Sequence, residues 1–328
     1  MTENQLKGKR ILVTGGAGFI GSNLVEFLLS VGASVSVLDN LETGKRKNLE
    51  EFFNHPDFTY TEGDIRSIED CLKAVEGIDL VTHQAALGSV PRSIEFPHAT
   101  HATNTTGFLN MLQAACEKGV KRFVYASSSS VYGDSAVSPK TIGSEGKLLS
   151  PYAVTKSLNE LYAGVYHRLH GMETIGLRYF NVFGPKQDPN GVYAAAIPKF
   201  IDKLMKGEEV IIHGDGNQTR DFTYVANAVK ANYLALTTAN EQTFGSVFNV
   251  ACGKYLSLND VIESLQKNLS EKGLLHPDAK IINGPERAGD IRNSLADITT
   301  TKNQLHYEGL VDFDEGIRKL INNISIKG

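Results

Sequence analysis

Short apolar-rich segments recur through the first half of the chain, at 11–14, 34–38, 58–61, 79–83, 121–126 and 173–178. Segments of this length and composition are strand candidates. The stretches between them at 21–31, 68–76, 104–118 and 152–170 carry apolar residues at helical spacing instead. This alternation predicts an α/β protein with a Rossmann-type, doubly wound parallel sheet covered by helices on both faces. Sheets of this kind hold ligands beyond the carboxyl ends of their strands. Thr14, Asp39, Asp64, Ala85, Ala86, Ser127 and Ser128 fall at such ends.

Beyond Asn181 the alternation fades into the turn-rich run Gly184-Pro185-Lys186-Gln187-Asp188-Pro189-Asn190-Gly191. The boundary is set here, with 1–184 as the nucleotide-binding domain and 185–328 mainly as a smaller C-terminal α/β lobe for substrate. Phe248-Asn249-Val250-Ala251 again reads as a buried parallel strand, so the chain is expected to return to the first domain around 222–251.

Thr14-Gly15-Gly16-Ala17-Gly18-Phe19-Ile20-Gly21 joins the apolar run Ile11-Leu12-Val13 to the helical pattern that starts near Leu24. Glycines at Gly15, Gly18 and Gly21 let the backbone turn sharply and approach a pyrophosphate, while the helix N-terminus offers free N–H groups to its charge. Asp39 ends the second strand, about 20 residues further on, where a carboxylate binds a ribose 2′-OH and repels a 2′-phosphate. NAD is therefore expected over NADP, with Lys45 and Arg46 as the nearby cations that would favour the phosphorylated form.

Composition acts mainly by exclusion. A net charge of −4 over 328 residues gives no basic footprint for nucleic acid, and no apolar stretch has the length of a membrane helix. The start, Met1-Thr2-Glu3-Asn4-Gln5-Leu6-Lys7-Gly8-Lys9-Arg10, lacks the apolar core of a signal peptide, so a soluble cytoplasmic protein is expected. Cys71, Cys116 and Cys252 are odd in number and widely spaced, as suits reduced thiols. The nine histidines show no metal-ligand spacing, so no metal site is expected, and His83 reads as a packed core histidine.

Ser150-Pro151-Tyr152-Ala153-Val154-Thr155-Lys156 has the form of a helix start, with Ser150 as N-cap and Pro151 in the first turn. Tyr152 and Lys156 then share one helical face. A tyrosine, with an ordinary pKa of about 10, is a poor base at neutral pH. A nearby ammonium favours its phenolate and makes proton abstraction from a sugar hydroxyl feasible. Upstream, Tyr125-Ala126-Ser127-Ser128-Ser129-Ser130-Val131-Tyr132-Gly133 places several hydroxyls at the end of a buried strand, in the same crevice.

Together these residues resemble the extended short-chain dehydrogenase/reductases, and among them the UDP-hexose 4-epimerases. The resemblance runs from the glycine motif through Leu177-Arg178-Tyr179-Phe180-Asn181-Val182-Phe183-Gly184 to Arg287-Ala288-Gly289-Asp290. It implies Ser128, Tyr152 and Lys156 as the catalytic group. It implies NAD contacts at Gly15, Gly18, Phe19 and Ile20, then at Asp39, Asn40, Thr43 and Gly44. Further NAD contacts are implied at Asp64, Ile65, Gln84, Ala85, Ala86, Asn104 and Tyr179, with Tyr152 and Lys156 touching the cofactor as well. For a UDP-sugar it implies Asn181, Arg220 and Arg287 around the diphosphate, where guanidinium groups suit phosphate oxygens. Gly88, Ser89, Ser128, Ser129, Tyr152, Asp290 and Ser294 are implied around the substrate.

Within the resemblance, relatives that dehydrate or decarboxylate carry an acid before Val-Tyr-Gly, where this chain has Ser128-Ser129-Ser130. The stretches Ala85–Ser93 and Arg292–Asp297 look most like the branch that prefers N-acetylated hexosamines, and Ser294 leaves room where a tyrosine crowds the C2 substituent. The expectation is a 4-epimerase of UDP-N-acetylglucosamine and UDP-N-acetylgalactosamine working through a 4-keto sugar. Its alternatives are a 4-epimerase of UDP-glucose or UDP-uronic acids and, more remotely, a catalytically silent nucleotide-binding regulator. A homodimer is implied, pairing the helices near 104–118 and 152–170 as a four-helix bundle.

Overall fold

The structure, a computed structural model, describes residues 5–190, 195–285 and 293–324. Seven strands form its main sheet: β1 (Arg10–Thr14), β2 (Ser34–Asp39), β3 (Phe58–Glu62), β4 (Leu80–His83), β5 (Arg122–Ser128), β6 (Glu173–Tyr179) and β7 (Ser246–Val250). All pairings are parallel, in the order β7-β6-β5-β4-β1-β2-β3. From β1 the chain first winds to β2 and β3, then crosses back to β4 on the other side. That reversal opens a crevice past Thr14 and His83, which face each other in register.

Each face of the sheet is sealed by helices that follow the sequence periodicity. On one face α1 (Phe19–Ser30) buries Leu24, Val25, Leu28 and Leu29. It shares an apolar cluster with Ala228 and Ala231 and with Val124, Ile175, Leu177 and Phe248 of the sheet. On the other face Phe108, Met111 and Leu112 of α2 (Phe108–Glu117) and Ala163 of α3 (Pro151–His170) pack on Phe123 and Tyr125. Val124 thus points to one layer and its neighbours to the other, the two-step alternation of a strand buried on both sides.

One expected helix is divided. Residues 104–118 do not begin as α-helix, because Ala102–Gly107 forms a wide π-helical turn before α2 starts at Phe108. Close packing accompanies this turn: a Cβ on Gly107 would lie 2.6 Å from the Ile65 side chain.

A second apolar cluster gathers Ile197, Phe200, Ile201 and Leu204 of one helix with Val261, Leu265 and Leu269 of another and Phe313, Ile317 and Ile321 of a third. Beside them strand Glu209–His213 pairs in parallel with Lys280–Gly284. The helix Leu258–Glu271 starts at a capping box, Ser257 and Asp260 each accepting from the other's backbone N–H. Before that helix the chain has already returned to the main sheet as β7, pairing with β6 from Ser246↔Ile175 to Val250↔Tyr179.

Asp221 ties these parts together. Fully buried, it accepts from the backbone N–H of Cys252, Gly253 and Ala296 at 3.0, 2.9 and 3.3 Å. Burial pushes its carboxyl up to about 6, against those N–H donors. Next to it, strand Thr219–Arg220 lies between Leu256–Ser257 and Asn293–Ser294, with Arg220 opposite Ser294.

Among the described residues no helix is long and apolar enough to cross a membrane, and no group of His, Cys, Asp and Glu side chains is placed to hold a metal ion. The three cysteines are unpaired.

Candidate active site

The glycine turn is dictated by space. Gly15 has φ +68°, and a Cβ there would lie 2.6 Å from the Ala85 backbone nitrogen. Gly21, in the first turn of α1, passes so near Gly15 that a Cβ would sit 2.1 Å from the Gly15 carbonyl oxygen. The turn therefore lies flat against the start of α1 and the end of β4. At the N-cap, Gly18 provides no side chain to satisfy the first N–H groups of the helix, which point into the crevice as an anion site does.

Asp39 holds the turn from the other side. Its carboxylate accepts from Ala17 N–H at 2.9 Å and Leu41 N–H at 2.8 Å and is 7% exposed. Burial raises its pKa against those two donors. Gly44 packs on the same carboxylate, so close that a Cβ would meet Oδ1 at 2.9 Å. The cations that followed Asp39 in sequence are engaged elsewhere: Lys45 pairs with Asp188, and the Arg46 guanidinium lies 4.5 Å from the centre of the Phe53 ring.

A cleft of about 460 Å³ runs from this turn across the carboxyl ends of the strands. Gly15, Gly18, Phe19, Ile20, Asp39, Asn40 and Thr43 line one end of it. Ile65, Gln84, Ala85 and Ala86 line its middle, and Gly88, Ser89, Ser128, Tyr152, Lys156, Tyr179 and Asn181 the other end. Most of the residues expected at a nucleotide and sugar site therefore meet in one continuous space.

Several expected contacts lie off that surface. Asn104 is buried, with its amide committed to the protein: Oδ1 accepts from Leu87 N–H at 2.8 Å, and Nδ2 donates to Leu87 O at 3.1 Å and Thr155 Oγ1 at 3.3 Å. It fastens the wall of the cleft instead of lining it. Asp64 is likewise absent from the lining, held by Arg66 and by Asn40 Nδ2 at 2.8 Å. The Arg66 hydrogen bond brings its carboxyl down to about 2. Ser129 opens a turn behind Ser128, and Gly44, Arg220 and Ser294 also stand outside the lining. Arg287 and Asp290 lie outside the described residues.

At the sugar end, Asn181 has φ +33° and donates from Nδ2 to the Asp221 carbonyl at 2.9 Å. Ser89 has φ +103°, and its hydroxyl caps the short helix Val90–Glu95 by accepting from Arg92 N–H. Tyr179 hydroxyl donates to Gln84 Oε1 at 3.1 Å and accepts from Asn232 Nδ2 at 2.7 Å. Burial pushes it up to about 12, so it stays a neutral hydrogen-bonding group. His83 is packed between Phe108 and Phe123, its Nδ1 2.9 Å from Thr14 Oγ1, and burial brings it down to about 3.

Tyr152 and Ser128 line the same end of the cleft, and Lys156 Nζ donates to the Ala126 carbonyl at 2.8 Å. Burial brings Lys156 down to about 8, opposed by the charge of Glu160. The sequence suggested a tyrosine acidified by its ammonium neighbour. In the structure burial dominates and raises Tyr152, opposed by the Ser128 hydroxyl, while Nζ stands 5.9 Å from the ring centre.

Sequence reasoning missed three residues here. Gln187 lines the cleft with its Oε1 buried and unpartnered by protein. Glu160 and Arg178 form a buried ion pair directly behind β5, at 2.8 and 2.7 Å. The signal for Glu160 was present in the spacing, since it follows Lys156 by one helical turn, as Lys156 follows Tyr152. Nothing in the sequence alone joined it to Arg178.

The flat glycine turn, open helix start and carboxylate at the end of β2 fit a dinucleotide, and the fold and cleft define a nucleotide-dependent α/β enzyme. The sequence profile of the NAD dependent epimerase/dehydratase family matches residues 11–251, and the chain belongs to that family, with NAD as its cofactor. It is 36% identical over 314 residues to a putative UDP-glucose 4-epimerase of Methanocaldococcus jannaschii, covering 95% of this chain and 97% of the relative. A UDP-N-acetylglucosamine 4-epimerase of Methanobrevibacter ruminantium, solved with UDP-N-acetylmuramic acid, superposes with a TM-score of 0.89 at 37% identity, over 96% of this chain and 98% of that one. A UDP-glucuronic acid 4-epimerase of Bacillus cereus, solved with UDP-glucuronic acid and NAD, superposes at 0.86 with 30% identity, over 95% and 98%.

Proposed function

We propose that this chain is a UDP-sugar 4-epimerase that inverts UDP-N-acetylglucosamine and UDP-N-acetylgalactosamine. One observation carries the reading: the glycine turn and the Ser128–Tyr152–Lys156 group open into the same cleft. Gly15, Gly18, Phe19, Ile20 and Asp39 would hold NAD at one end. NAD, when bound, supplies the oxidant for C4 of the sugar and returns the hydride to it.

The chain's own residues then manage the proton and the sugar. Tyr152 takes the proton of the 4-OH and later returns one, with Ser128 hydrogen-bonded to the same oxygen. Lys156, still largely protonated at neutral pH with a pKa of about 8, is the counter-charge for the phenolate that forms. Asn181 and Arg220 would grip the diphosphate, leaving the hexose free to turn over between the two transfers. Residues 185–328 would supply most of that grip, as the substrate lobe.

Preference for the acetamido sugar is supported by the small side chains at Ser89 and Ser294, and by the likeness to the Methanobrevibacter enzyme. Relatives named for UDP-glucose and UDP-glucuronic acid make those sugars the necessary comparison. A panel of acetylated, plain and uronic UDP-sugars is expected to give C4 inversion by NMR, fastest for the acetylated pair. Deuterium at C4 should be carried into the inverted product. Turnover of plain sugars alone would overturn the acetamido preference, and wash-out of the label would overturn the mechanism.

The protein is also read as a cytoplasmic homodimer. Leu161 and Leu169 of α3 are 64% and 73% exposed, beside half-exposed Val154 and Val165, an apolar stripe that pairing with a second copy would cover. Sedimentation at low concentration should give a species of twice the chain mass, and a monomer under those conditions would remove the bundle. The unpaired thiols accord with a reducing compartment.

A further inference from the structure

We propose that Glu160 is a positioning residue for the reaction: it fixes the end of β5, which carries Ser128, and provides the buried negative charge that faces the Lys156 ammonium. This rests on the epimerase reading above. Two successive turns of α3 grip two successive residues of β5. Lys156 bonds the Ala126 carbonyl, and Glu160 Oε1 accepts from Ser127 Oγ at 2.5 Å, while Tyr152, one turn before Lys156, lines the cleft together with Ser128, the next residue of the strand. The end of the strand is therefore set by side chains of the same helix that bears the proton acceptor, and Glu160 is its inner anchor.

Charge counting gives Glu160 a second role. Arg178 on β6 donates to Glu160 at 2.8 and 2.7 Å and to Glu145 at 2.5 Å. One guanidinium thus serves two carboxylates; Glu145 reaches solvent, its side chain 32% exposed, while Glu160, at 13%, keeps a charge inside the protein that Arg178 only shares. Lys156, 2% exposed, is the cation that balances it. The other titratable groups that interact with Lys156 are Tyr152 on its own helix, its ring centre 5.9 Å from Nζ, and His83 on β4, held uncharged by burial. The turn Ala102–Gly107 brings none. Without the Glu160 charge, a buried ammonium has only neutral neighbours and a compensated Arg178–Glu145 pair. It then loses its proton more readily.

The test compares Glu160→Gln, Glu160→Asp and Ser127→Ala with the parent protein, all loaded with NAD. Epimerisation is followed against pH, and the Lys156 amine is titrated by NMR in lysine-labelled protein, assigned through Lys156→Met. In Glu160→Gln the Lys156 titration and the alkaline limb of kcat should both move down by about one pH unit, with KM nearly unchanged. Glu160→Asp should restore their position. Ser127→Ala should lower kcat without moving either. An unmoved Lys156 titration in Glu160→Gln overturns the charge role, and an unchanged kcat in Ser127→Ala overturns the anchoring role. Should Glu160→Gln fail to fold, Ser127→Ala still decides, since a parent-like kcat in that variant contradicts the anchoring of β5 by Glu160. If the parent protein turns over no UDP-sugar, the epimerase reading fails while the Lys156 titration continues to decide the charge of Glu160.

Discussion

Tyr152→Phe is expected to keep its NAD and lose turnover by about 100- to 10,000-fold, the range that removal of a positioned proton acceptor produces. The side chain is half-buried in the wall of the cleft, and removing its oxygen leaves the ring in place. NAD content, read from the absorbance of the released nucleotide, should match the parent, and KM for the UDP-sugar should change little. Near-normal kcat would take Tyr152 out of the proton step. The pH profile carries a second expectation. Burial raises Tyr152, so the parent enzyme should gain activity toward alkaline pH until Lys156, at about 8, gives up its proton.

The second large effect is on stability. Arg178→Met should cost about 3–5 kcal/mol, the range found when one partner of a buried ion pair is removed. Here two carboxylates are left, Glu160 and Glu145, and the Tyr132 ring loses the guanidinium stacked 4.8 Å away. The pH dependence follows from Glu145. Burial pushes its carboxyl up, yet the Arg178 hydrogen bond and charge hold it below its ordinary value. A depressed folded pKa contributes stability above the unfolded pKa and loses it as pH falls through the folded one. The parent therefore gains from the pair at neutral pH, whereas the variant strands unpaired carboxylates there. Urea midpoints of the two proteins should differ most near pH 7 and converge below about pH 4, where unfolded glutamates are protonated. A constant difference across that range would show that packing, not charge, is what Arg178 contributes.

The sheet was legible because its strands are short apolar-rich segments set between stretches of helical periodicity, so even the strand at Phe248–Val250 showed in composition. The glycine turn was legible for a steric reason, since no other residue fits at Gly15 or Gly21. Two kinds of feature were hidden. The π-helical turn at Ala102–Gly107 is built mainly of Thr, Asn and Gly, weak helix formers that do not by themselves specify a wider turn, and its width goes with packing against Ile65, which is distant in sequence. The roles of Asn104, Glu160 and Arg178 depend on pairings across 17 to 51 residues or on burial that removes a side chain from the cleft. A motif gives the residue type and its approximate neighbourhood, but whether an amide faces ligand or backbone is decided by the third dimension.

The strand β7 reaches the main sheet only after the chain has already built part of its second apolar cluster, and it covers the outer side of β6. A fragment ending at residue 184 would leave β6 as a bare edge, with its backbone N–H and C=O groups open to any passing strand. The halves can therefore be exchanged between relatives only when the incoming C-terminal half carries a seventh strand whose register matches β6. Gene fusions that graft a foreign C-terminal half onto this nucleotide fold without such a strand leave the sheet open at that edge.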